Sequence, residues 1–215
     1  MKVNHRQGHS INCRGAKGHL DEVNVCSEVN KHFGAFLSQL GAKGVDCTST
    51  ERSVNADLSY GINKNNANKA DYYVPIHANA GGGQGAEIWL YPNASTEVKN
   101  KANAMLSKLQ ALGFKNRGIK YSSGLADLRR TNNKAMLVEL FFLDTKSDCD
   151  TFNRVGASAV AKALAEGITG KTISEPKPQQ AKYRVLCYGM SEARAIEACE
   201  ILRKHGNFKC NYEKM

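Results

Sequence analysis

The nine residues AMLVELFFL at 135–143 constrain the fold of this chain more than any other stretch. A nearly continuous apolar run of this length is the pattern of a central strand buried on both faces of a sheet. One carboxylate, Glu139, sits inside it. An uncompensated buried carboxylate costs several kcal/mol, on the order of the stability of a whole small domain. A metal ion, or a water bound to one, would compensate that charge and give it a chemical role.

Around this run, strand-like and helix-like segments alternate, which predicts an α/β fold: a twisted mixed, mostly parallel sheet flanked by helices. Val25, Val29, Phe33, Phe36, Leu37 and Leu40 recur at helical spacing before Gly41, so a helix is expected from near Leu20. VDCTST at 45–50 reads as a short strand and 53–69 as helix-compatible. YYVPIHA (72–78) and AEIWLY (86–91) read as strands parted by the turn-rich NAGGGQG. Helices are expected over 95–112, ended by Gly113, and over 153–168, ended near Gly170.

The segment KTISEPKPQQAK at 171–182 holds two of the four prolines and reads as a linker. It separates a domain at 1–170 from a small unit at 183–215, where YRVLCY, SEARAIEACEILRKHG and NFKCNY predict a βαβ unit. No apolar run reaches the roughly 18 residues of a membrane span. The N-terminus places His5, Arg6 and His9 where a secretory signal would have its apolar core, so cytoplasmic synthesis without a signal peptide is expected. The seven cysteines contain no C-x-x-C pair, and neither a disulfide framework nor a cysteine zinc site is predicted.

The net charge of +10 raises the question of nucleic acid. The excess is spread along the chain, with 21 Lys and Arg against 15 Asp and Glu in residues 1–170. No basic run exceeds the pair Arg129-Arg130, and no aromatic residues interleave with it as a stacking surface requires. A diffuse positive field suits a polyanionic cell wall at least as well.

Among six histidines, His9 follows Gly8 just after the first strand-like residues. His77 ends an apolar strand, where open α/β sheets put their ligands. Glu22 opens the first helix thirteen residues after His9. Two His and one Glu form a known catalytic zinc set with an open fourth position, although this spacing is not the helical H-E-x-x-H motif.

Taken together, four segments in order resemble the zinc-dependent N-acetylmuramoyl-L-alanine amidases of autolysins, sporulation lysins and phage endolysins: GHSINCRGAKGHLDE, DYYVPIHANA, GAEIWLY and RGIKYSSGLADLRRTNNKAMLVELFFLD. The resemblance implies His9, Glu22 and His77 as ligands of one Zn2+, and Glu139 as the catalytic carboxylate. His5 and His19 are alternates that the family pattern leaves unmatched. The implied activity is hydrolysis of the amide between N-acetylmuramic acid and L-alanine in peptidoglycan, with lysis of the wall after release through a holin pore or by mother-cell lysis. Two departures stand out. Arg6-Gln7-Gly8-His9-Ser10 replaces the family's D-P-G-H-G-G, and Phe141 replaces a glycine; both are expected to reshape the surroundings of the metal.

The same residue types also serve a zinc carboxypeptidase acting on stem peptides, and the charge leaves open a non-catalytic basic module for wall polymer or nucleic acid. The catalytic reading excludes nucleic acid and membrane insertion. The segment 183–206 is similar to the first half of a SPOR-type peptidoglycan-binding repeat. At 33 residues, the 183–215 unit is below the size at which a domain usually folds unaided. Truncation, docking on the 1–170 domain, or pairing with the same segment of a second chain would each account for that size, and a wall-binding or homodimerisation module is the expectation.

Overall fold

The computed structural model describes residues 1–174 and 191–205, with side chains up to 201, and the chain divides into two compact units, Met1–Ser174 and Glu175–Met215. The first unit is an α/β domain. Its elements run β1 (Val3–Gln7), α1 (Glu22–Gln39), α2 (Val54–Ala67), β2 (Tyr72–Asn79), β3 (Ala86–Leu90), α3 (Thr96–Ala111), β4 (Asn116–Tyr121), α4 (Ala126–Arg129), β5 (Lys134–Ala135), β6 (Leu137–Phe142) and α5 (Lys146–Thr169).

The sheet order is β1-β2-β6-β3-β4, with β5 also beside β2. Every pairing is parallel except β3 with β6. The apolar run 135–143 thus lies in the middle of the sheet. Alternation along the strands sends Val74, Ile76 and Ala78 of β2, Val138 and Leu140 of β6, and Ile88 and Leu90 of β3 into one core with α1, α3 and α5. The opposite face carries Tyr73, His77, Glu139 and Glu87, because cross-strand partners in register share a face. There, among the described residues, α2 packs against β1 and α4, and α4 reaches β2 through the Asp127–Tyr73 hydrogen bond.

Four expectations change. Residues 45–50 form no strand: His5 N–H bonds Val45 O and Cys47 N–H bonds His5 O, but Asp46 turns back to accept from Thr48 N–H at 2.9 Å, which stops the ladder. The helix expected from 153 starts at Lys146, and non-helical Gly156 interrupts it. β4 and α4 are additional. The former is a mostly polar edge strand, so it lacks the apolar alternation that marks β2. Phe141 lies on the core side of the sheet, away from His9, Glu22 and His77: its ring is fully buried between Phe114 and Phe152, with centroids at 5.6 and 5.1 Å.

Of the second unit, the described part is Ser191 and helix α6 (Glu192–His205), in the place expected. The strands expected at 183–188 and 207–212 lie outside the described residues. Cys199 on α6 is disulfide-bonded, whereas Cys13, Cys26, Cys47 and Cys149 are free. The expectation of no disulfide fails there. Cysteine spacing alone does not reveal a single bridge, and small elements commonly need such a staple.

Candidate metal centre and catalytic carboxylate

β1 delivers the loop Gly8-His9-Ser10 to the carboxyl end of the sheet, where Gly8 N–H bonds Ile76 O of β2 at 2.7 Å. A Cβ on Gly8 would collide with the His77 ring, and one on Gly15 would collide with both Glu22 and His9. Glycine is required at both positions by space alone. His9 and Glu22 come from opposite ends of the 8–22 segment, and His77 from the end of β2. One donor atom from each of the three residues lies within 4.8 Å of the others. Glu22 bridges the two imidazoles: Oε1 is 3.1 Å from His77 Nδ1, and Oε2 is 3.5 Å from His9 Nε2. Glu22 also accepts from the N–H groups of Ala16 and Ala78.

Glu139 stands beside His77 in the parallel register of β2 and β6. Among the described residues, the buried side-chain atoms His77 Nε2 and Glu139 Oε2 have no hydrogen-bond partner. Such groups are normally satisfied by protein, water or an ion. Two neighbouring unsatisfied atoms beside a His/Glu/His cluster fit a cation together with a polar reactant. The donor set of two imidazoles and a carboxylate is suited to zinc.

The electrostatics follow from this crowding. Burial pushes the Glu139 carboxyl up to about 7, with Glu22 and Glu87 adding to the rise and His77 opposing it. Burial also favours the neutral form of Glu22, but its hydrogen bond with His77 and the two imidazole charges prevail, so its pKa lies below the ordinary value. Burial lowers His9. His77, although burial acts to lower it too, is raised by Glu22 and Glu139.

Arg6 is fully buried beneath this loop. Its Nε donates to Gln7 O at 2.9 Å and its Nη2 to Gly8 O at 2.7 Å, gripping the two carbonyls that precede His9. The guanidinium pairs with Asp57 at 2.5 Å and lies 3.8 Å from Asp127, which accepts from the Tyr73 hydroxyl at 2.9 Å. Gly61 of α2 leaves the room that Arg6 fills, since a Cβ there would meet Nη1 at 2.6 Å. This network was missed in the sequence; its one visible sign is the cation in place of the family's aspartate just before Gly-His.

The rim is held by carboxylates after β6. Asp144 accepts from Gly81 and Gly82 N–H at 2.8 Å each. Asp148 accepts from Gly85 N–H at 2.7 Å and Phe142 N–H at 3.0 Å. The alternates do not join the cluster. His5 Nδ1 is 2.7 Å from Asn30 Oδ1 and its ring packs edge-on to Phe33, while His19 contributes a backbone N–H to Leu143 O at 2.8 Å.

Comparison with known proteins gives this geometry a family. Residues 6–170 match the family described as N-acetylmuramoyl-L-alanine amidase. The chain is 32% identical over 181 residues to an uncharacterized protein of Clostridium perfringens, covering 81% of this chain and 53% of that one. It therefore spans about half the length of that relative. It is 29% identical over 199 residues to the endolysin of Bacillus phage SPP1, covering 83% and 73% of the two chains. Among solved structures, it resembles the catalytic domain of the CD27L endolysin targeting Clostridia Difficile, with a TM-score of 0.73, 30% identity, and coverage of 81% of this chain and 99% of that one. The chain belongs to the N-acetylmuramoyl-L-alanine amidase family.

Proposed function

We propose that this chain hydrolyses the amide between the lactyl group of N-acetylmuramic acid and L-alanine in bacterial peptidoglycan. His9, Glu22 and His77 would hold one Zn2+, and Glu139 acts as general base and acid. The observation that carries this reading is the pair of unsatisfied atoms, His77 Nε2 and Glu139 Oε2, beside the three-residue donor cluster. Zinc at such a site supplies Lewis acidity to the scissile carbonyl and lowers the pKa of water there.

The chain's own residues do the rest. Arg6 fixes the carbonyls of Gln7 and Gly8, which holds His9 in place for the metal. Glu22 lies against both imidazoles and so draws the two histidines and its own carboxylate to one point. Glu139, with a pKa near 7, is matched to taking a proton from attacking water at neutral pH and returning it to the departing nitrogen of L-alanine. Family membership and the likeness to an endolysin support peptidoglycan as substrate and the cell wall as the place of action. Among the described residues, no helix is long and apolar enough to cross a membrane.

Analysis of wall digests by mass spectrometry tests the reaction. Stem peptides with a free N-terminal L-alanine are expected. Loss of a C-terminal residue from otherwise attached stems would make the enzyme a carboxypeptidase instead.

For the 183–215 segment we infer wall binding or self-association, supported by the exposure of Ile196 and Ile201 on α6. Light scattering of the full chain and of residues 1–175 checks self-association, which predicts a dimer for the former and a monomer for the latter.

A further inference from the structure

Beyond Glu139 the open face of the sheet continues across two more strands. Glu87 of β3 lies directly opposite Glu139 in the antiparallel register and is 3% exposed. Its carboxylate is fully engaged: Oε1 accepts from Asn79 Nδ2 and Trp89 Nε1, both at 3.1 Å, and Oε2 accepts from Arg117 Nε at 2.8 Å. Both Glu87 oxygens are thus occupied by donors from its own surroundings. Glu87 is an anchor for the guanidinium.

Arg117 owes its direction to a β-bulge. Ala86 pairs with Asn116 and Ile88 with Ile119, so the single residue Glu87 on β3 faces both Arg117 and Gly118 on β4. The extra residue is accommodated by Gly118 at φ +78°, a conformation that favours glycine. Bulges next to active sites commonly re-aim a side chain. Here the bulge lays Arg117 against Glu87, with its guanidinium carbon 4.8 Å from the centre of the Phe142 ring. Besides Nε, only Nη1 has a protein acceptor among the described residues, Gln84 O at 3.5 Å. A guanidinium has five N–H groups. Arg117 is therefore held on three sides, keeps unused donors, and leaves 30% of its side chain open to solvent.

We propose that Arg117 forms an anion subsite that binds the α-carboxylate of the second stem residue, so that the enzyme distinguishes a free D-isoglutamate stem from its α-amidated form. This rests on the amidase reading above. With the lactyl–alanine bond at Glu139, the α-carbon of the second residue lies about 7 Å away at roughly 3.5 Å per extended residue. From β6 to β4 is two strand spacings, about 10 Å between backbones, and the Arg117 side chain turned toward Glu87 closes the difference. Glu87 is already neutralised by its pair with Arg117, and the unused N–H groups of that guanidinium are positive donors on this side of Glu139 that a stem carboxylate can meet. A planar fork suits a carboxylate better than an amide, which carries no charge and presents a single acceptor oxygen.

The test uses the full chain and two synthetic disaccharide-tripeptides that differ only in an α-carboxylate or an α-carboxamide on the second residue. Wild-type kcat/KM is expected to favour the carboxylate by about tenfold, the scale of one charged hydrogen bond. Arg117→Gln combined with Glu87→Gln, which leaves no buried charge unpaired, should bring the ratio near one. Arg117→Lys, a point charge without the fork, should give an intermediate ratio and serves if the double variant does not fold. A wild-type ratio near or below one, or a wild-type ratio retained in either variant, overturns the subsite. Failure of the wild type to release tripeptide from either compound would instead overturn the amidase reading.

Discussion

On the face of the sheet turned toward α1, α3 and α5, alternate residues of β2, β6 and β3 are apolar and inaccessible, and their partners across the layer come from three helices. On the other face the same strands carry His77, Glu139 and Glu87 side by side, with Arg6 and Arg117 at the flanks. Among the described residues, α2 and α4 cover part of that face. The first face is held by burial, which is nondirectional and tolerant of repacking. The second consists of charges whose value depends on partners at fixed distances, and among the described residues it keeps two buried atoms without a partner. One sheet thus separates stability from chemistry by the two-residue period of its strands.

Changes on the polar face should be felt mostly in turnover. Glu139→Ala is expected to lower turnover on purified walls by about two to four orders of magnitude, the usual range for losing a general acid–base group. Stability should be kept or raised, since a buried carboxylate is removed. Kinetics at saturating substrate with a parallel urea titration checks both halves, and near-normal turnover would contradict the role.

Arg6 blurs the division, because it lies on the polar side yet is buried like a core residue. Arg6→Met should destabilise by about 3–5 kcal/mol, the cost of leaving buried Asp57 and Asp127 uncompensated. Adding Asp57→Asn and Asp127→Asn should recover part of that stability while zinc affinity stays low, because the grip on the Gln7 and Gly8 carbonyls is not restored. Denaturation midpoints and chelator competition separate the two effects; wild-type zinc affinity in the triple variant would show that Arg6 acts on the fold alone.

The core face predicts the reverse pattern. Ile88→Ala, at a fully buried position one residue from Glu87, should cost about 2–5 kcal/mol. Activity per folded molecule should change little below the unfolding transition. A turnover loss as large as that of the Glu139 variant would break the separation of the faces.

Much of this was legible in the sequence for physical reasons. The apolar run around Glu139 and the strand ending at His77 are period and burial signals, and a lone carboxylate in such a run advertises itself by its cost. His9 and Glu22 were legible through resemblance rather than periodicity, since nothing in their spacing demands that they meet. The Arg6 network was not: arginine reads as a surface residue in any hydropathy pattern, and its partner Asp57 is 51 positions away. β4 was missed because an edge strand need not alternate, and the aim of Arg117 depends on a bulge that only the pairing of two strands reveals. The strand expected at 45–50 had β-compatible residues, but Asp46 preferred a local turn.

The central claim is that His9, Glu22 and His77 hold one zinc ion while Glu139 works beside it without being needed to bind it. Zinc quantification on purified wild type, His77→Ala and Glu139→Ala tests this most directly. The account predicts about one zinc per chain, none, and about one. Full zinc in the His77 variant, or its loss from the Glu139 variant, would contradict it.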